Sequence, residues 1–192
     1  MTKYFFIRHG ESQANVDRVF AGVMESPLTE KGRQAARAEG DRLRAANETF
    51  DLIISSPLER ARKTAQIIAQ ATGYNVTDII IEPLLTERNF GSIAGQSWDS
   101  LPNEASDVFK EAGGESLDEL ATRVSAAVER IKILGRGKNR ILLIGHGSWY
   151  QMAETILEGR HARTFLESTS IPNNQVFSIA IGVDVERGQD RP

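Results

Sequence analysis

The sequence predicts an α/β fold, with a mainly parallel sheet covered by helices on both faces. Short apolar runs of strand length alternate with longer segments whose apolar residues recur at helical spacing. Capping residues and glycine stops fall between the two kinds of segment. Four of the apolar runs end in a polar cluster or soon reach one. That pattern suits an open α/β sheet, which binds ligands at the carboxyl ends of its strands.

The first strand is expected over residues 3–7, stopping at Arg8, His9 and Gly10. Thr29 reads as the N-cap of a helix over 30–44. The strand 52–55 leads to Pro57, placed to open a helix over 58–71 that Gly73 ends. A third strand is expected at 79–81. Residues 90–114, with several Gly, Pro, Ser and Asn, read as an irregular insertion holding one weak helix near 98–110. It suits a wall over a site and a plain surface excursion equally well. Ser116 precedes a helix over 117–134, followed by Gly135 and Gly137. The strand 140–144 precedes a helix near 148–157 that ends near Gly159. The last strand is expected at 176–181, and the polar tail 185–192 is expected to fray.

At 192 residues the chain suits one domain, 1–192, with a sizeable core. A net charge of −3 supplies no field to attract nucleic acid or a membrane. The absence of cysteine removes disulfides and thiolate metal sites. No run approaches membrane-spanning length, and no signal-like segment opens the chain, so a cytoplasmic location is expected. The apolar last strand is a candidate edge for pairing two copies into a homodimer.

Parallel strands would gather two histidines, His9 and His146, two arginines, Arg8 and Arg60, and the carboxylate Glu87 at one sheet edge. That set suits phosphoryl transfer. Guanidinium groups grip phosphate bidentately and stabilise charge on its oxygens in the transition state. A neutral imidazole can attack phosphorus, and a carboxylic acid can protonate the leaving oxygen. Neighbouring arginines disfavour imidazolium and so keep His9 nucleophilic. Taken singly, most of these residues have plainer readings. Arg60 shares its helix with Glu59, Arg62 and Lys63, which suggests a solvated charged face. Glu87 beside Arg88 suggests a surface ion pair, and His146 between two glycines a turn. His161, beside Arg160 and Arg163, reads as surface. The functional reading rests on the set.

RHGES with Asn15 downstream, then FAG at 20–22, SPLTEKG at 26–32, SSPLERARKTA at 55–65, ERNFG at 87–91 and GHG at 145–147 follow in order. Together they resemble the histidine phosphatase superfamily, the phosphoglycerate mutase-like group. The resemblance implies a three-layer α/β/α sandwich and a metal-free, cofactor-free reaction on a small phosphorylated substrate. His9 would form a phosphohistidine. Arg8, Arg60 and His146 would complete the phosphate pocket, with a hydrogen bond from Asn15 and backbone from Ala21, Gly22 and Gly147. Glu87 would be the general acid and then the base that activates water.

The superfamily divides between phosphatases and mutases. ERNFG, RHGESQAN and FAG resemble the mutase versions. The mutases carry a longer, basic insertion that holds a glycerate carboxylate. Here residues 90–116 contain one cation, Lys110, among the acids Asp99, Glu104, Asp107, Glu111 and Glu115. GGESLDELATRV at 113–124 resembles the broad-specificity phosphatase branch, and Ala94 departs from it where an acidic or polar residue is common. Phosphomonoester hydrolysis is expected first, a mutase or dual enzyme second, and a silent phospho-ligand binding module third.

Overall fold

The computed structural model describes residues 1–100, 108–167 and 171–182. Its centre is a five-stranded sheet: β1 (Lys3–Arg8), β2 (Leu52–Ser55), β3 (Ile80–Ile81), β4 (Arg140–Gly145) and β5 (Val176–Ile179), in the order β3-β2-β4-β1-β5. All neighbouring pairs are parallel except β5, which runs antiparallel to β1 and lies at the sheet edge.

The strands are buried on both faces because their alternate residues feed two cores. Tyr4, Phe6, Leu52, Ile54, Ile141 and Leu143 pack against α5 (Leu117–Leu134) and α6 (Gly147–Leu157). Ile7, Ile53, Leu142 and Ile144 face the other way, among Leu43 of α2 (Glu30–Ala45) and Ala61, Ala65 and Ile68 of α3 (Glu59–Thr72). This is the expected three-layer arrangement. Gly40 permits the close approach of α2 and α3, since a Cβ there would stand 2.6 Å from the Ala71 methyl.

The caps explain where the helices start. Thr29 Oγ1 accepts from Gly32 N–H at 2.9 Å at the start of α2. Ser116 and Glu119 form the reciprocal capping box of α5. The helix expected from residue 58 instead begins at Glu59, with Leu58 extended as its N-cap and Pro57 outside. Its first N–H, from Glu59, is taken by the Glu25 carboxylate at 2.9 Å, a cap brought from a distant loop. Gly73, in the left-handed region at φ 77°, ends it as expected.

Other boundaries shift. Strand β3 shrinks to two residues between the 3₁₀ turns Val76–Asp78 and Pro83–Leu85. Strand β5 ends at Ile179, where Ile181 N–H turns back to the Ile179 carbonyl. A four-residue helix, α1 (Gln13–Val16), was not expected. Of the weak helix expected near 98–110, the described residues show a 3₁₀ turn at Trp98–Ser100 and α4 (Val108–Glu111). Residues 101–107 between them, and the tail 185–192, lie outside the described residues. Among the described residues, no helix is long and apolar enough to cross a membrane.

Strand register places the site. Arg8 pairs with Gly145, and Ser55 with Ile144. The ladder runs one step further, from His9 N–H to Gly145 O at 3.0 Å and from Ser56 N–H to Ile144 O at 2.9 Å. His9, Ser56 and His146 therefore stand side by side just past the strand ends.

Candidate active site

A pocket of about 170 Å³ opens at this edge, and its walls include Arg8, His9, Asn15, Ala21, Gly22, Arg60, Glu87 and Gly147. His146 does not line it. That ring is fully buried beneath the pocket, 5.0 Å from the His9 ring. The structure thus brings all the expected residues together, with His146 in a lower layer.

His9 is held from several sides. Its Nδ1 is 2.7 Å from the Gly10 carbonyl, and its Nε2 is 3.2 Å from Arg60 Nε. A guanidinium can only donate, so Nε2 accepts and the proton sits on Nδ1. This is the neutral tautomer, with its lone pair on Nε2. The flanking backbone is fixed by Gly10 N–H to Thr64 Oγ1 at 2.9 Å and by Asn173 Nδ2 to His9 O at 2.5 Å. Burial lowers the His9 pKa well below the usual histidine value, and the charges of Arg60 and Arg8 lower it further. His146 is lowered well below it too, by burial first and then by Arg60. Both rings are therefore neutral at pH 7.

Arg60 corrects the expectation of a solvated face, since it is only 2% exposed. It belongs to the inward stripe of α3 with Ala61, Thr64, Ala65 and Ile68. Its Nη1 donates to Met24 O at 2.8 Å and its Nη2 to Gly22 O at 2.6 Å. The guanidinium therefore ties the 20–24 loop to His9. Gly22 itself needs glycine: φ is 52°, and a Cβ would fall 2.9 Å from the Arg88 carbonyl.

Arg8 Nη1 donates to Ile171 O at 2.9 Å, while its buried Nε has no hydrogen-bond partner. His146 Nε2 meets Ser56 Oγ at 2.7 Å, and its buried Nδ1 is likewise unpartnered. Buried polar atoms without partners are rare and point to a missing ligand or water. Asn15 Oδ1 accepts from Ser12 N–H at 3.0 Å, which leaves the Asn15 amide N–H₂ as a donor at the pocket.

Glu87 stands at the rim. Oε1 accepts from Arg88 N–H at 2.9 Å and Oε2 from Ser148 N–H at 3.4 Å, at the amino end of α6. Arg88 is not its surface partner. That side chain is buried, donates from Nε to Glu115 O at 2.9 Å and lies 4.5 Å over the Phe109 ring.

Sequence reasoning missed Arg123. Its guanidinium donates to the carbonyls of Leu84 and Thr86 at 2.9 Å each and to that of Glu87 at 3.4 Å. It also grips the Glu115 carboxylate through two contacts of 2.7 and 2.8 Å. The available signal was an arginine on the α5 stripe formed by Leu120, Val124 and Ala127. Ser56 and Thr64 were missed as well; both sit within the expected second motif.

Among the described residues, no group of three or more His, Cys, Asp or Glu is arranged to hold a metal ion. A larger cleft of about 910 Å³ opens at the opposite end of β1 and β5, near Lys3, Glu48, Arg140 and Glu154. It holds neither histidine. The chemistry converges on the smaller pocket.

A family model described as histidine phosphatase superfamily (branch 1) matches residues 4–184. A protein of Photorhabdus laumondii named "Probable phosphoglycerate mutase GpmB" is 39% identical over 157 residues, covering 77% of this chain and 70% of that protein. Proteins of the same name from Escherichia coli are 40% identical over 157 residues, covering the same shares of each chain. Among solved structures, Bacillus stearothermophilus YhfR superposes with a TM-score of 0.79 at 25% identity, over 96% of this chain and 98% of that one. The alpha-ribazole phosphatase of Shigella flexneri shares the fold, with a TM-score of 0.77 at 24% identity over 92% and 89%.

Proposed function

The chain belongs to the histidine phosphatase superfamily, branch 1, and from that premise we propose that it hydrolyses phosphomonoesters through a phosphohistidine on His9. The geometry supplies the parts. Arg8 Nε, the Arg60 guanidinium and the Asn15 amide surround the place where a phosphate would sit. His9 Nε2 attacks phosphorus as the bond to the leaving alcohol breaks. The Nδ1–H···O=C bond to Gly10 stabilises the positive charge that develops on the ring. Glu87 gives a proton to the leaving oxygen as general acid. In the second step Glu87 takes a proton from water as that water attacks phosphorus. The N–P bond breaks, inorganic phosphate leaves, and His9 and Glu87 return to their starting forms. Arg123, which holds the backbone of residues 84–87, positions the acid.

The observation that favours hydrolysis over mutase chemistry is the placement of positive charge. Arg8 and Arg60 sit at the phosphate floor, and no Lys or Arg occurs from residue 89 to 109. A phosphoglycerate would leave its carboxylate facing a wall whose cation, Arg18, is already paired with Asp99. The mutase is the second reading, favoured by the name of the 39–40% identical relatives.

The test follows inorganic phosphate and 2-/3-phosphoglycerate exchange together, for the wild type and His9→Ala, with acid-labile phosphoenzyme trapped in parallel. Hydrolysis predicts phosphate release and a trapped phosphoenzyme, both abolished by His9→Ala, a loss of more than about 10³-fold. Exchange without release makes the protein a mutase. Binding of phosphoesters with neither reaction makes it a binding module.

A further inference from the structure

The wall beside the phosphate pocket indicates which alcohol the site accepts, on the reading that the site takes phosphomonoesters. Residues 18–20 and 95–98 pair as two short antiparallel stretches around a Val19–Ser97 bridge. Phe20 N–H donates to Gln96 O at 2.9 Å, Gly95 N–H to Phe20 O at 2.8 Å, and Trp98 N–H to Arg18 O at 2.8 Å. In that register Trp98 lies opposite Arg18 and diagonal to Phe20, on one face of the ladder. The Arg18 guanidinium accordingly lies 5.5 Å from the centre of the Trp98 ring. Phe20 is braced edge-on by Phe90 at 5.2 Å and Phe109 at 5.8 Å. Phe20 and Trp98 thus stand at diagonal positions on one face of a ladder set by backbone hydrogen bonds.

The same two rings line two adjoining spaces. One is the phosphate pocket of about 170 Å³; the other is an outer opening of about 520 Å³, bounded also by Arg8, Glu11, Asn15 and Asn173. The inner space is smaller than the roughly 300–1,000 Å³ of an ordinary small-molecule site. An alcohol too large for the inner space can extend outward across the two rings into the adjoining outer opening.

The two exposed cations nearby already face acids. Arg18 pairs with Asp99 at 3.0 Å, and Lys31 with Glu11 at 2.9 Å. A carboxylate on the substrate would have to share these cations with Asp99 and Glu11, at a cost in like-charge repulsion. Neutral hydroxyl groups would meet the amide of Asn173 instead, beside the two aromatic rings.

We infer that the outer opening binds a neutral, hydroxylated ring stacked on Phe20 and Trp98, so that the substrate is a sugar or nucleoside monophosphate. The test compares kcat/KM on five esters. p-Nitrophenyl phosphate reports the phosphatase activity itself. Glucose 6-phosphate and adenosine 5′-monophosphate carry neutral rings, and 3-phosphoglycerate carries a carboxylate and no ring. Glycerol 3-phosphate, with neither, is the reference. The ring esters should exceed the reference about tenfold or more, and 3-phosphoglycerate should fall below it. Trp98→Ala should lower the ring esters at least about fivefold more than the reference, mainly through KM, and Trp98→Phe should restore most of the difference. Whichever ring ester leads tells whether the two aromatic rings are matched to a sugar or a nucleoside. A preference for 3-phosphoglycerate, equal rates on all the alkyl esters, or a Trp98→Ala loss shared equally by them overturns the inference while leaving the phosphatase reading intact. Loss of that reading appears separately, as p-nitrophenyl phosphate turnover that survives His9→Ala.

Discussion

At the floor of the pocket, Arg60 and His9 are sunk among strand ends and joined to each other and to backbone carbonyls, with His146 bonded to Ser56 beneath them. The wall is different: Phe20 and Trp98 are half-buried and stand on a short ladder between a loop and an irregular insertion. Each floor residue meets several partners, so its loss should damage chemistry and structure together. The wall rings share no hydrogen bond with the reacting groups, and changes there should sort substrates. Chemistry is thus built on rigid strand ends, and selectivity on elements that can vary without disturbing them.

The sharpest way to break this contrast is Arg60→Ala. It removes the phosphate clamp and also frees the carbonyls of Gly22 and Met24. A loss of about 10² to 10³-fold in kcat/KM is expected on every ester, with a lowered melting temperature. Arg60→Lys should restore little, because lysine keeps the charge and loses the fork. Wild-type kinetics in Arg60→Ala would show that the floor does not grip phosphate.

Next is Glu87→Gln. Alkyl phosphates, whose leaving oxygen needs a proton, should lose about 10²-fold. Activated aryl phosphates should lose far less. Equal losses would remove Glu87 from the acid role.

Arg123→Met probes whether the rim depends on its support. Activity on alkyl esters should fall about tenfold in kcat with little change in KM, as for a misaligned acid. Stability should also fall by about 3 kcal/mol, because the largely buried Glu115 loses its partner. Denaturant titration of Arg123→Met/Glu115→Gln should recover part of that loss. An aryl-to-alkyl rate ratio equal to the wild type would leave Arg123 as a structural residue only.

The smallest effect is on pH dependence. Both buried histidines have pKa values well below that of the unfolded chain. Between those values the unfolded state holds more protons, so stability rises with pH. Their contribution is complete above about pH 6.5 and is lost as pH falls toward the folded values. His146→Gln should therefore flatten the decline in melting temperature on acidification below that point. An unchanged slope would mean that His146 is not held neutral by its burial.

The legible part of the site was the part written in contiguous motifs. Arg8, His9 and Gly10 follow an apolar strand, and His146 follows another, so parallel pairing alone brings them together. Arg60 was legible in its motif and obscure in its helix, where its charged neighbours Glu59, Arg62 and Lys63 hid the inward stripe. Glu25 was not legible, and Arg123 showed only as an arginine on an apolar helical stripe, with nothing local to say what it holds. Each acts on a segment far away in the chain, through a backbone contact that leaves no local pattern.

Alternating strand and helix patterns, caps and motif order determined the layered sheet and the residues gathered at its edge, because hydrophobic period and turn chemistry are local properties. Tertiary structure alone decided that His146 lies beneath the pocket and that Arg60 is buried against His9. It also decided that Phe20 and Trp98 face the same opening. Those facts depend on how the 20–24 loop and the insertion close over the strand ends, and that closure is set by contacts between residues dozens of positions apart.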